Sequence, residues 1–409
     1  MVYMLYLLGF IFIVFYTFPS IVLSCLQFKH INSHINKNPI ILSPKDWQEA
    51  GEYSLAKLRV SIIQNIIEAV VFVLWIGIGL FGLENFLKEW DIFENVYFLT
   101  YVLIFLIIGA IISIPMSFYV TMKLDKKYGF AKGTLSLFIK DTLKEFAMLI
   151  IIAGIVVFLL IEIIENFYYW WVYSFLLVFM LAILANVLYP ILIAPIFNKF
   201  TSLNDDNLRE QIEYMMKKVG FRASGIFVMD ASRRDGRLNA YFGGLGKSKR
   251  VVLFDTLLQK VSQEGLLAIL GHELGHFKHK DILKNIVIMG IVLFILFFIA
   301  GNLPQELFNS IGIEYNPATM IVFLLLISPV VSFWAMPIIG YFSRKAEYGA
   351  DEYGAELTNK RALAEALIRL VNENKAFPCS HPLYIFFYYT HPPLLERLRA
   401  LDYQGGGVD

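Results

Sequence analysis

Seven stretches of this chain are apolar for long enough to cross a bilayer, which takes about 20 residues of helix. They run over residues 2–23, 60–83, 96–119, 146–164, 168–190, 286–300 and 319–339. The pattern predicts an all-α integral membrane protein with seven transmembrane helices. Composition agrees. Of 409 residues, 57% are hydrophobic and 17% charged, too little charge to keep a soluble chain of this size dispersed. The first run has no Lys or Arg before Lys29 and no small-residue cleavage motif behind it. It reads as a signal anchor, not a cleaved leader.

Basic residues set the orientation. The loop after the first span carries Lys29, Lys37, Lys45, Lys57 and Arg59; the one after the third carries "MKLDKKYGFAKG"; the one after the fifth is long and rich in Lys and Arg. The even-numbered loops carry only Lys88. The alternation places the odd loops and the C-terminal tail in the cytoplasm and the N-terminus outside. A net charge of +1 gives no ground for a nucleic-acid partner. Cys25 and Cys379 are too few for a disulfide framework and lack metal-site spacing, so they receive no function.

Two cytoplasmic segments are long enough to fold outside lipid. The chain therefore divides into spans one to five (1–199), a first soluble segment (200–285), spans six and seven (286–339) and a second soluble segment (340–409). In the first segment "LNDDNLREQIEYMMKKVG" has apolar residues at helical spacing and a closing Gly. "SGIFVMD" and "KRVVLFDT" read as short strands, with "RLNAYFGGLG" as a strand running into a Gly-rich turn. The terminal "GGGVD" reads as frayed.

The chemistry sits in "LLAILGHELGHFKHK", directly before the sixth span. His272 and His276 are four apart, so a helix presents both imidazoles on one face. That arrangement holds two corners of a zinc site. Glu273 lies beside the open position, where it can take a proton from the attacking water without ligating the metal. Gly271 and Gly275 each cost about 1 kcal/mol in a helix interior, which a requirement for close backbone approach would offset.

The helix does not supply a third ligand. His279 shares the face of His272, but seven residues of helix separate their backbones by about 10 Å, too far for one ion. "SRKAEYGADEYGAEL" follows the seventh span and puts Glu347 and Asp351 four apart on a predicted helix. One carboxylate can ligate while the other accepts the N–H of a ligating histidine. The same stretch also reads as a charged juxtamembrane helix.

HExxH followed one helical hairpin later by E-x-x-x-D resembles the gluzincin membrane metallopeptidases. "YPILIAPIFNKFTSL", "LNAYFGGLGKSKRVVLFDTLL", "KKYGFAKGTLSLFIKD", "SRKAEYGAD" and "HPPLLERLRAL" together are similar to the type I CAAX prenyl proteases, over nearly the whole chain. The resemblance implies a barrel of seven helices around a water-filled chamber, with a zincin-type domain containing a short β-sheet. It implies one zinc held by His272, His276 and Glu347, with Glu273 as base and Asp351 behind a ligand. It implies that His391 and Arg397 donate hydrogen bonds to the oxyanion or to Glu347. Asn239 and Ala240 would lie on an edge strand that pairs with substrate, and Asn65 and Glu68 would line the chamber. The implied reaction removes the C-terminal tripeptide of a prenylated CAAX protein or peptide. The partners are then the bilayer and an extended C-terminal peptide. The compartment would be the endoplasmic reticulum membrane in a eukaryote or the inner membrane in a prokaryote.

Three other readings compete. A quality-control membrane metallopeptidase would lack "HPPLLER" and have fewer spans. An intramembrane site-2-type protease would carry HExxH within a span. A seven-span transporter or receptor with structural zinc would bring four protein ligands, not three and a base. Oligomeric state is left open.

Overall fold

The computed structural model describes residues 2–90, 93–244 and 249–403. The Gly-rich turn expected after "NAYF" falls largely, and the terminal "GGGVD" wholly, outside them. Seven helices are long and apolar enough to span a membrane: α1 (Tyr6–His34), α2 (Pro44–Lys88), α3 (Glu94–Asp125), α4 (Leu135–Asn166), α5 (Trp170–Phe197), α9 (Asp281–Gly301) and α11 (Pro317–Leu357). Each covers most or all of one expected apolar run, and most extend well beyond it. The surplus is polar helix that continues out of the lipid zone. α2 begins 16 residues before its apolar run, capped by Ser43, whose hydroxyl accepts from the Asp46 N–H.

Each span packs on the next in chain order, and α11 returns to α1, where the Trp334 indole donates to the Phe15 carbonyl (2.8 Å). The ring is packed solid only at one end. There Leu80, Tyr101, Ile161, Phe308 and Val322 form one buried cluster. Toward the other end it is hollow. From Leu135 to Val156 no residue of α4 is buried. A helix in a filled bundle buries one face; one exposed along its whole N-terminal half meets accessible space on both sides. The total surface agrees: 21,538 Å² is exposed, against about 16,000 Å² for a compact chain of this size.

The remaining elements cap the hollow end. They are β1 (Phe200–Ser202), α6 (Asp206–Val219), β2 (Gly225–Met229), β3 (Ala240–Gly243), β4 (Arg250–Phe254), α7 (Asp255–Lys260) and α8 (Gln263–Lys278). Beyond α9 come α10 (Gln305–Ser310), α12 (Lys360–Glu373), α13 (Pro382–Tyr388) and α14 (Leu394–Ala400). α6 closes at Gly220, whose φ of +73° is the left-handed conformation the sequence anticipated there. The strand order is β1-β2-β4-β3, with β2 and β4 parallel and the other pairs antiparallel. β1 was not expected; it opens the first soluble segment.

One face of the sheet packs on α6 and α8 through Val251, Leu253, Ile212, Leu266, Leu270 and Leu274. The opposite side of α8 lies on α11 and α12. The two soluble segments read separately from sequence thus pack against each other, with α8 between them. Val322, in the solid end, precedes Glu347 by 25 residues of one helix, a rise of about 37 Å. The candidate site therefore sits at the open, capped end.

Candidate metal centre

α8 starts at Ser262, whose hydroxyl accepts from the Gly265 N–H (3.2 Å). Its two interior glycines face α11. A Cβ at Gly271 would lie 3.3 Å from the Gly354 Cα, and one at Gly275 only 2.8 Å from the Ala350 Cα. The two backbones therefore cross in contact, which offsets the helix cost of the glycines. The crossing sets Glu347 and Asp351, one turn apart on α11, against the two histidines.

His272 Nε2 is 3.5 Å from Glu347 Oε2, and His276 Nε2 is 3.3 Å from Glu347 Oε1. The three residues each offer a ligand atom, all within 4.8 Å of one another. The opposite ring nitrogens are also held. His272 Nδ1 lies 2.8 Å from Asp351 Oδ1, and His276 Nδ1 lies 3.0 Å from Asp281 Oδ2. A carboxylate only accepts, so each Nδ1 carries its hydrogen, and each Nε2 is left for a metal or a second proton.

Two observations test the fit of a metal ion. Glu347 Oε2 is buried without a hydrogen-bond partner, a costly state for a carboxylate oxygen unless a cation completes it. Without the ion, a proton takes its place. Burial opposes charge on His276, but hydrogen bonds to Glu347 and Asp281 outweigh it and raise the pKa to about 9. Two imidazoles and a buried carboxylate are a donor set for a divalent ion, and they fit.

Glu273 shares a cavity of about 470 Å³ with His276, Glu347 and His391. Desolvation by burial raises its carboxyl above the ordinary range, so it holds a proton more readily than a surface glutamate. His391 Nε2 stands 3.3 Å from Glu347 Oε1. Its side chain is 64% exposed, yet enough protein surrounds the ring to desolvate it. That burial lowers its pKa, opposed by Glu347 and assisted by the Arg397 charge.

Arg397 is placed differently from the expectation. It forms a two-pronged pair with Asp351, Nε to Oδ2 at 2.7 Å and Nη2 to Oδ1 at 2.6 Å. Only Nη1 approaches Glu347, at 3.4 Å. It sits behind the ligands and fixes the carboxylate that orients His272. The prolines of "HPPLLER" precede α14 and do not lie in its first turn. His279 is outside the cluster, near the Tyr353 ring and Gly349.

Among the described residues β3 is an edge strand, with β4 beside it. Ala240 is on it; exposed Asn239 lies just before it, its carbonyl accepting from the Phe254 N–H (3.2 Å). Glu68 accepts from the Tyr16 hydroxyl (2.7 Å) and ties α1 to α2, whereas Asn65 is buried and does not line the hollow. Asp281 was missed. Its only sequence signal is an acid five residues after His276, and a turn at Lys280 with φ +56° swings it back.

Comparison with known proteins agrees with this geometry. The family model described as "Peptidase family M48" matches residues 202–404, and that described as "CAAX prenyl protease N-terminal, five membrane helices" matches residues 27–199. The human CAAX prenyl protease 1 homolog is 34% identical over 376 residues, covering 80% of this chain and 78% of that protein. The Saccharomyces cerevisiae CAAX prenyl protease 1 is 34% identical over 319 residues, covering 72% and 70%. The crystal structure of S. mikatae Ste24p superposes with a TM-score of 0.87 at 28% identity, covering 95% of this chain and 96% of that one. The chain is a multi-pass membrane metallopeptidase and belongs to family M48, in the group of the CAAX prenyl proteases.

Proposed function

We propose that this protein is a zinc endopeptidase that removes the C-terminal tripeptide from prenylated CAAX proteins or peptides. The observation that carries the reading is the buried His272–His276–Glu347 cluster, with its orphaned carboxylate oxygen, at the open end of a hollow membrane barrel. Zinc is the ion that suits two imidazoles, one carboxylate and an open fourth position. The relatives named above as CAAX prenyl proteases support the substrate class.

His272, His276 and Glu347 would hold the zinc, which when bound supplies a Lewis acid for the scissile carbonyl. Glu273 takes the proton of the attacking water and returns it to the leaving amine. Its raised pKa suits both halves of that transfer. His391 donates to the developing oxyanion. Asp351, held by Arg397, and Asp281 fix the two imidazole rings. The substrate backbone pairs with the free edge of β3 beside Asn239 and Ala240. An isoprenyl chain on the adjoining cysteine partitions toward lipid at about 0.8 kcal/mol per buried CH₂, which holds the peptide at the membrane.

The basic odd-numbered loops support a site and C-terminus facing the cytoplasm and an N-terminus outside. The compartment would be the endoplasmic reticulum membrane in a eukaryote and the inner membrane in a prokaryote. The test is hydrolysis of a farnesylated CAAX peptide and its unprenylated twin by purified protein. Zinc-dependent, chelator-sensitive release of the tripeptide from the lipidated peptide is expected. Equal rates on both would make it a general peptidase. Cleavage of neither, with degradation of an unfolded membrane protein, would make it a quality-control enzyme.

A further inference from the structure

The two ends of β3 open onto cavities of opposite character. At the Gly243 end is the 470 Å³ cavity beside the metal site, walled by Phe221, Phe242, Phe277, Ile282 and Leu283. The last two are exposed on the first turn of α9, where it enters the membrane. At the Asn239 end is a polar cavity of about 430 Å³, lined among others by Tyr53, Lys57, Ser61, Asn374 and Tyr389. Asn374 joins this cavity to the strand. Its side chain accepts from the Leu238 N–H (2.8 Å) and donates to the Leu238 carbonyl (3.3 Å), two residues before Ala240.

Lys57 is the feature of this second cavity that the site described so far does not use. It projects from α2 into accessible space, its ammonium 5.5 Å from the Tyr53 ring centre. Among the described residues no carboxylate pairs with it. Asp125, on the same side, is engaged by the Tyr53 hydroxyl (2.7 Å) and by Arg237 (3.0 Å). Lys375, which also lines the cavity, is paired with Glu49. Among its described lining residues, the cavity therefore holds one uncommitted cation.

These facts orient a peptide on the strand. A guest strand added antiparallel to β3, the commoner sense of pairing, runs from the Gly243 end toward Asn239. Its residues before the scissile bond then lie by the apolar cavity, and its C-terminus leaves toward Lys57. Three extended residues reach about 10 Å, so a tripeptide ends just beyond the strand. We infer that Lys57 binds the C-terminal carboxylate of the substrate, making the Tyr53–Lys57–Asn374 cavity the recognition site for a free chain end. The inference rests on the proposed function for its tripeptide length. A carboxylate anchor measures the distance from the chain end to the cut, which an edge strand alone cannot do, since main-chain pairing permits any register.

The test compares a farnesylated CAAX peptide acid with its C-terminal amide. Wild type should show a KM about tenfold higher for the amide, the order of one charge-assisted hydrogen bond, with kcat little changed. Lys57→Met should cut acid and amide with the same, amide-like KM and near-normal kcat. Lys57→Arg should restore preference for the acid, which a merely structural lysine would not do. Equal KM values in wild type would overturn the inference. So would a preference that survives Lys57→Met, or one lost instead in Lys249→Met, at the other end of the strand. The same pair without lipid separates the two claims. If bare peptides are cut as fast as farnesylated ones, the proposed substrate class fails while the acid-to-amide ratio still decides the role of Lys57. If no peptide is cut, direct binding of acid and amide to the Glu273→Gln protein gives the same ratio.

Discussion

Gly354 passes so close to His272 that a Cβ added to it would lie 2.7 Å from the His272 backbone nitrogen. The metal-binding face of α8 is thus held by backbone contact with α11, not by interlocking side chains. Gly354→Ala should force the helices apart, cost about 1–3 kcal/mol as overpacking does, and weaken metal binding. Gly154→Ala, where nothing lies within 4 Å of the added carbon, should leave metal binding unchanged and should not destabilise the fold. Metal stoichiometry and thermal unfolding of the two variants check this. Full metal content with an unchanged midpoint in Gly354→Ala would refute it.

Glu273→Gln keeps the size of the side chain but cannot accept a proton. The variant should bind metal normally and lose at least about 10²-fold in turnover. Near-wild-type kcat in a metal-replete sample would remove Glu273 from the reaction.

Much of this was legible in the sequence, for reasons that differ by residue. The spans were visible because lipid demands uninterrupted apolar helix, and their order around the ring follows the chain. Their polar extensions beyond the lipid zone were not. Residues 44–59 of α2 read as polar loop because half their surroundings are water and protein. His272, Glu273 and His276 were legible because helical spacing alone sets their geometry. Asp281 was hidden because a left-handed Lys280 breaks the helix between it and His276. Arg397 was assigned to the oxyanion or to Glu347; its two-pronged pairing with Asp351 depends on how α14 docks against α11. That docking is a tertiary event with no local signature.

Ligand and support roles should separate by metal analysis. Glu347→Ala should strip the metal, since it removes the carboxylate that stands between the two Nε2 atoms. His279→Ala should leave stoichiometry intact. Asp351→Ala and Asp281→Ala should fall between, costing about 10–100-fold in affinity or activity, as loss of a ring-orienting partner does. Metal loss in His279→Ala with retention in Glu347→Ala would reverse the assignment.

Metal binding should be coupled to the proton that His276 carries without it. The pKa of that histidine is about 9 in the metal-free fold, raised from 6.5, so near neutrality the metal displaces a proton. Affinity should rise up to about tenfold per pH unit between roughly 6.5 and 9 and level off above. The stability of the metal-free protein should move the opposite way. A histidine whose pKa is raised by folding contributes fully below its unfolded value of 6.5, and that contribution is lost as pH climbs through about 9. Asp281→Asn removes the negative charge facing the Nδ1–H that helps hold the proton and should shift both profiles to lower pH. Titrating zinc affinity and unfolding of the metal-free protein across this range checks both slopes. Affinity that does not vary with pH would mean that His276 is already neutral before the ion arrives, and that Glu347 is held by other groups.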